Sequence, residues 1–196
     1  MYPTDSQILD LHHKYAPTQK VLDTVYSHCQ IIAEIAKQII LESNLDLDQE
    51  LVRVGALLHD IGAYELIGKD GNFDEANYIK HGIIGYQILQ SEGFSEKLCR
   101  IAKCHTGLGL TKDYILINKL PLPPEDLTAD SLEEKLVMYA DKFHSKNPKF
   151  NTFDEYCQTA AKFGAENEQK FRELAQIFGD PDLSKIIKNY RSSNIN

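Results

Sequence analysis

The segment Gly55-Ala56-Leu57-Leu58-His59-Asp60-Ile61-Gly62 closes an apolar, helix-like run with two potential metal ligands side by side. A charge in such surroundings persists only when it is paired or metal-bound. His28, His81 and His105 fall on three further helix-like runs, and Asp141 lies at the inward edge of another. A bundle burying the apolar faces of these runs gathers six coordinating groups with no matching set of buried basic partners. Histidine with carboxylate suits iron, manganese, zinc or nickel, and the lack of thiolate ligands argues against a soft-metal site. The chemistry this implies is a two-metal hydrolytic centre.

The positioning elements are read from periodicity and punctuation. Val21, Val25, His28, Ile32, Ile35 and Ile39 recur at intervals of three and four, which sets His28 in the middle of one apolar face. Thr18 is the predicted N-cap of that helix. Asp48 is the predicted cap of the next, which runs through Leu51, Val54, Leu57 and Leu58 to His59-Asp60 and ends at Gly62. Residues 63–76 read as irregular, with turn signals at Gly68 and Asp70-Gly71-Asn72. A helix is predicted from about Glu75 to Glu92, with Gly93 as its C-cap and His81, Gly85 and Ile88 on one face. Gly82 and Gly85 each weaken it by roughly 1 kcal/mol relative to Ala, so they imply close backbone approach. Ser95 begins a short helix aligning Leu98, Ile101 and His105. The proline-rich stretch 118–130 reads as a connector, either a lid or an edge wrap. Capping boxes at Ser131–Glu134 and Thr152–Glu155 open two later helices, the first facing Leu136, Val137, Ala140 and Asp141 inward. No convincing alternating strand is found. The expected fold is an all-α helical bundle with the site inside, divided into an N-terminal segment 1–17, a core domain 18–147 and a C-terminal helical extension 148–196 packed on it.

The 196 residues suffice for one domain with an appendage. A hydrophobic fraction of 42% and a charged fraction of 26% are ordinary for a soluble globular protein. No apolar run approaches the ~20 residues that span a bilayer, and Met1–Ser6 lacks a signal-peptide pattern. Cys29, Cys99, Cys104 and Cys157 form no C-x-x-C pair and read as free thiols, which points to the cytoplasm. The formal charge of −8 argues against general nucleic-acid binding. It leaves room for a small phosphorylated substrate.

With these residues in place, the chain resembles the HD-domain metal-dependent phosphohydrolases over roughly residues 20–145, its signature being Leu57-Leu58-His59-Asp60-Ile61-Gly62. His28, His59, Asp60 and Asp141 match the ligands shared across that superfamily, and His81 and His105 match the extra pair of its dinuclear branch. The resemblance implies that Asp60 bridges two metals, with His28, His59 and Asp141 on one and His81 and His105 on the other. Ala63 stands where cyclic-di-GMP phosphodiesterases and inositol oxygenases carry lysine. The paired histidines and G-Y-P signature of the former group are also absent. His105-Thr106-Gly107 and His81-Gly82-x-x-Gly85 are more similar to the dinuclear HD hydrolases that split diadenosine polyphosphates.

The expected activity is hydrolysis of a phosphate ester or anhydride in a nucleotide or small phosphorylated metabolite, using a hydroxide bridging two divalent metals. Iron or manganese heads the candidates, followed by magnesium, zinc and nickel. Asp60, Lys142 and His144 are the catalytic candidates, and Lys80 and Lys142 the candidates for binding substrate phosphate. Each lysine is equally readable as a solvated charge, and His144 as either a proton donor or a partner behind the ligands. His12 and His13 receive no role, Tyr64, Tyr78 and Tyr86 are candidate pocket walls, and substrate is expected under the 118–130 connector. Two other readings stay open: a di-iron oxygenase cleaving a polyol or phosphonate, and a metal-bound regulatory module. Substrate identity and oligomeric state are not legible.

Overall fold

The three- and four-residue spacing of aliphatic side chains becomes an all-helical bundle in the computed structural model, which describes residues 2–43, 45–146 and 149–193. Its spine is α2 (Gln19–Glu42), whose buried face carries Val21, Val25, His28, Ile32, Ile35 and Ile39. Thr18 caps it by accepting a hydrogen bond from the Val21 amide at 3.3 Å. Asp48 does the same for α3 (Gln49–Leu58), accepting from Leu51 at 3.0 Å. Both α2 and α3 pack against α7 (Leu132–Asp141), and the three helices share one core. Ser131 accepts from the Glu134 amide, but Glu134 turns its carboxylate to Arg100, so the expected capping box is half formed.

The N-terminal segment holds a helix that its mostly polar sequence does not advertise. α1 (Asp5–Tyr15) is opened by a Thr4–Gln7 capping box and buries Ile8, Leu11 and His12. His12 is fully buried, with Nε2 2.8 Å from the Leu57 carbonyl and Nδ1 2.7 Å from the Tyr64 hydroxyl. Since a carbonyl only accepts, Nε2 donates and Nδ1 accepts from Tyr64. This histidine ties α1 to the end of α3.

After α3 the chain tightens into a 3-10 helix, Ile61–Leu66. α4 (His81–Ser91) begins six residues later than expected, because Asp74 and Asn77 satisfy local backbone and one another before a short 3-10 turn at Tyr78–Lys80. α5 (Glu96–Cys104) lies against α4. The glycines make these approaches possible. A Cβ on Gly62 would stand 2.2 Å from the His81 carbonyl oxygen, and one on Gly82 would stand 2.8 Å from that of Ala102.

A short α6 (Lys112–Ile117), not anticipated, precedes the proline-rich connector, and a bridge between Leu110 and Leu127 holds that connector's far end. Past α7, β1 (His144–Ser145) pairs antiparallel with β2 (Lys149–Phe150). The boundary expected at 147/148 falls outside the described residues. α8 (Phe153–Ala161), α9 (Ala165–Phe178) and α10 (Ser184–Ser193) follow. Phe171 of α9 sits 5.1 Å from the Tyr139 ring and 4.6 Å from that of Tyr156, joining α7, α8 and α9 in an aromatic cluster. Among the described residues, no helix is long and apolar enough to cross a membrane.

Two measurements check this account. Gly62→Ala pushes backbone against backbone and is expected to lower unfolding free energy by at least about 2 kcal/mol, whereas Gly93→Asn, in open space at φ 79°, should stay within about 1 kcal/mol. Equal denaturant midpoints would refute the tight α4 approach. Burial pushes the His12 imidazole down to about 4 from 6.5. Between those values the unfolded chain binds a proton that the native chain refuses, so stability falls as pH drops through this window, by on the order of 3 kcal/mol. His12→Gln should therefore show a shallower loss of stability from pH 6.5 to 4 than the parent, and an unchanged slope would refute the assignment.

Candidate metal centre

Five elements each bring a donor to one point. His28 comes from the middle of α2, His59 and Asp60 from the residues just past α3, His81 from the first turn of α4, His105 from the end of α5 and Asp141 from the last residue of α7. Three of the imidazoles are fixed in the same way. Nδ1 of His59, His81 and His105 lies 2.7, 2.6 and 2.7 Å from the carbonyl oxygens of Ala56, Tyr78 and Ala102, in each case three residues upstream. Nδ1 therefore donates, and Nε2 is the atom each ring turns to the site, a bare lone pair whenever the ring is neutral. Burial alone would lower His59, but the Asp60 and Asp141 carboxylates hold it well above its ordinary value. The fourth ring, His28, sets Nδ1 2.9 Å from Nδ1 of His144, which stacks on it with ring centres 5.2 Å apart.

The lone pairs converge on Asp60, which is fully buried. Its Oδ2 lies 3.2 Å from His28 Nε2 and 3.3 Å from His59 Nε2, both of which also face Asp141 Oδ1, at 3.0 and 3.4 Å. Its Oδ1 lies 3.5 Å from both His81 Nε2 and His105 Nε2. The donors thus form two groups that share Asp60: His28, His59, Asp60 and Asp141, and Asp60, His81 and His105.

The donor chemistry fits divalent cations. Asp60 Oδ1 and His59 Nε2 are buried with no hydrogen bond, a costly state for polar atoms unless a ligand meets them. Two carbonyl-anchored rings, His81 and His105, point their Nε2 atoms at each other across 2.8 Å, where two lone pairs face with no proton between them. Burial, with the neighbouring His105, pushes His81 down to about 3, and burial lowers His105 as well, so both rings are neutral donors. Burial alone would raise the Asp60 carboxyl, but the Lys146 ammonium and the surrounding imidazoles hold it well below the usual carboxylate range. The cluster is therefore able to hold divalent metal ions through nitrogen and oxygen atoms.

A cavity of about 980 Å³ opens onto His28, His81, His105 and Asp141. Its rim comes from the 71–78 loop, from Thr106-Gly107, and from Ser145, Lys146, Asn151 and Tyr156. The 118–130 connector contributes nothing to it, contrary to expectation; Arg100 holds that connector through Asp130 and the Thr128 carbonyl. Lys80 is also absent from the lining, since its ammonium donates to Asn77 at 2.6 Å. Lys142 lines the cavity but is mostly buried, donating to Asp141 Oδ2 at 2.7 Å and to the His105 carbonyl at 3.0 Å, so it clamps α7 to the end of α5. His144 lines the cavity with an unpartnered Nε2, and burial pushes its ring down to about 3. Of the three tyrosines, Tyr78 lines the cavity, whereas Tyr64 is bonded to His12 in the core and Tyr86 turns to Glu96.

Lys146 is the residue that sequence reasoning missed. Its ammonium contacts Asp60 Oδ2 and lies 5.5 Å from the Tyr78 ring centre. No periodic signal marks it, since Lys146 follows β1 in a turn, two residues past His144.

The family model of the HD domain matches residues 25–146, more than half of the chain. The chain belongs to the HD-domain family. It is 40% identical over 122 residues to the uncharacterised protein MJ0778 of Methanocaldococcus jannaschii, covering 61% of this chain and 65% of that one. It is 28% identical over 187 residues to a tRNA (cytidine(56)-2'-O)-methyltransferase of Thermoplasma volcanium, covering 94% of this chain and 50% of that protein. The chain thus spans about half to two thirds of the length of these relatives. Among solved structures, the HD domain of the L. monocytogenes phosphodiesterase PgpH in complex with cyclic-di-AMP shares its fold. The TM-score is 0.51 at 16% identity, over 86% of this chain and 92% of that one.

The position of Lys142 carries its own prediction. Removing one member of a buried ion pair costs about 3 kcal/mol or more, so Lys142→Met should lower the unfolding free energy by that order. Lys80→Met, which loses one side-chain hydrogen bond, should cost about 1 kcal/mol. Similar melts for the two variants would show that Lys142 does not clamp the helices.

Proposed function

We propose that this protein is a dinuclear metal-dependent phosphohydrolase that cleaves a phosphate ester or anhydride in a nucleotide or small phosphorylated metabolite. The observation carrying this reading is the division of Asp60 between two donor groups, one oxygen toward His28, His59 and Asp141 and the other toward His81 and His105. These residues would hold two divalent metals, with iron or manganese first by donor type, which would supply a nucleophilic water at neutral pH and positive charge against the phosphoryl group. The chain's own residues then bind and orient. Of the two lysines lining the cavity, Lys142 is held by Asp141 and the His105 carbonyl, and Lys146 is placed to turn from Asp60 to a phosphate oxygen, with the Tyr78 ring beneath its ammonium. Lys142 positions Asp141, and His144 holds His28 from behind by accepting the His28 Nδ1 proton on its own Nδ1, so its neutral ring keeps a proton on Nε2 at the cavity wall. No protein nucleophile is required: Cys104 is buried outside the cavity lining, and burial pushes its thiol up to about 11.

A nucleotide-sized substrate is consistent with a cavity of about 980 Å³. PgpH is described with cyclic-di-AMP, and the methyltransferase relatives are named for action on tRNA. The net charge of −8 favours a small phosphorylated molecule over a nucleic-acid chain here.

Elemental analysis and turnover in ¹⁸O-labelled water test the reading together. The parent is expected to carry two metals per chain and to place the label on phosphate under anaerobic conditions. Asp60→Ala should lose both metals and all activity, whereas His81→Ala should retain one metal. Lys146→Met should keep both metals and lose about ten- to hundredfold in kcat/KM, the worth of one charge-assisted phosphate hydrogen bond. Turnover that consumes dioxygen, or two metals retained in Asp60→Ala, would refute the proposal.

A further inference from the structure

A second cavity, of about 630 Å³, adjoins the metal centre. Thr106, Gly107 and Tyr156 wall both cavities, and Thr106 follows His105 directly, so the two spaces meet at these three residues beside the metal centre. The walls are mainly apolar, with Leu108, Leu110, Leu120 and Ala160 among them. Three aromatic rings border the space: Tyr114 of α6, Tyr156 of α8 and Phe163, which stands 63% exposed at the rim. Lys170 and Glu166 are the one cation and one anion among the described lining residues, so the cavity offers no net charge to a second phosphate. Asn167 and Thr111 give it a few hydrogen-bonding groups.

We infer that this side cavity is a specificity subsite that takes the uncharged aromatic base of a nucleotide whose phosphate lies at the metal centre. Tyrosine and phenylalanine rings supply flat faces for stacking, and the sparse polar groups suit the edge of a base. An alkyl chain would use the leucines but not the ring faces or the polar edge. Much of the subsite lies beyond residue 146, where the HD-domain match ends, so substrate choice is set by helices outside the segment that supplies the metal donors. The inference rests on the phosphohydrolase reading for the position of the phosphate, but base binding is measurable without turnover.

The chain contains no tryptophan, so Phe163→Trp places a single reporter at the rim. The full-length Phe163→Trp protein is titrated with adenosine, AMP, ribose 5-phosphate and hexyl phosphate, following tryptophan fluorescence. Adenosine and AMP are expected to quench it saturably, and ribose 5-phosphate and hexyl phosphate are not. In the same background Leu110→Arg, or Tyr114→Ala if the former fails to fold by circular dichroism, should weaken adenosine binding about tenfold or more. In turnover, the same substitution should reduce the preference for AMP over ribose 5-phosphate by about tenfold. Absence of adenosine quenching, equal quenching by hexyl phosphate, or an unchanged binding constant in the variants would overturn the subsite. Adenosine binding without hydrolysis of any phosphate ester leaves the subsite standing and removes the hydrolase reading. Hydrolysis of esters with and without a base alike, with no adenosine binding, does the reverse.

Discussion

Asp60 is a carboxylate with no exposed surface, set at the junction of five helical elements. An isolated ionised carboxyl in that position would cost far more than a domain's whole stability margin. Its survival as an anion depends on surrounding it with imidazole nitrogens and an ammonium group, and much of the architecture serves that requirement. Gly62, two residues on, lets α4 come close enough to deliver His81. Gly82 then lets α5 approach α4 and deliver His105. α2 and α7 pack together and bring His28 to Asp141.

The donors are oriented as well as gathered. His59, His81 and His105 each bond Nδ1 to a carbonyl three residues upstream, so tautomer and ring plane are set by local contacts. His28 lies mid-helix, where its backbone neighbours are already bonded, and its ring is held instead by His144 from across the bundle. Lys142 performs the matching task for the acidic side, bridging Asp141 and the carbonyl of His105.

Long amphipathic helices were legible because burial imposes a 3.6-residue period, and α2 shows it over 24 residues. Caps were legible where a short polar side chain bonds a nearby amide, as at Thr18, Asp48 and Thr152. α1 escaped notice because only Ile8, Leu11 and His12 are buried on it, and one of those is polar. The start of α4 was placed too early because Asp74 and Asn77 compete for the backbone in ways periodicity does not register. Helical phase set His28, His81, His105 and Asp141 inward, and the structure brings them to His59-Asp60. Adjacency in sequence is an uneven guide to the cations: Lys142 beside Asp141 bonds that carboxylate at the cavity wall, Lys80 beside His81 turns away, and Lys146, five residues past Asp141, reaches Asp60. Composition reads the Pro-rich connector as a lid or an edge wrap; it rims no part of the metal-site cavity, which the 71–78 loop and α8 border, but its Leu120 walls the neighbouring cavity.

One donor contact spans a great length of chain: His28 meets Asp141 113 residues away. Such contacts form only after distant segments have docked, and loop closure over that distance must come first. A cation bound between those groups recognises the finished fold and has little hold on the open chain, so it acts as a thermodynamic brace. Free metal at a thousand times its dissociation constant would add about 4 kcal/mol to the folding free energy. On the proposed reading, the lifetime of this protein in a cell is therefore coupled to the metal supply, and scarcity would thin its population as well as silence its chemistry.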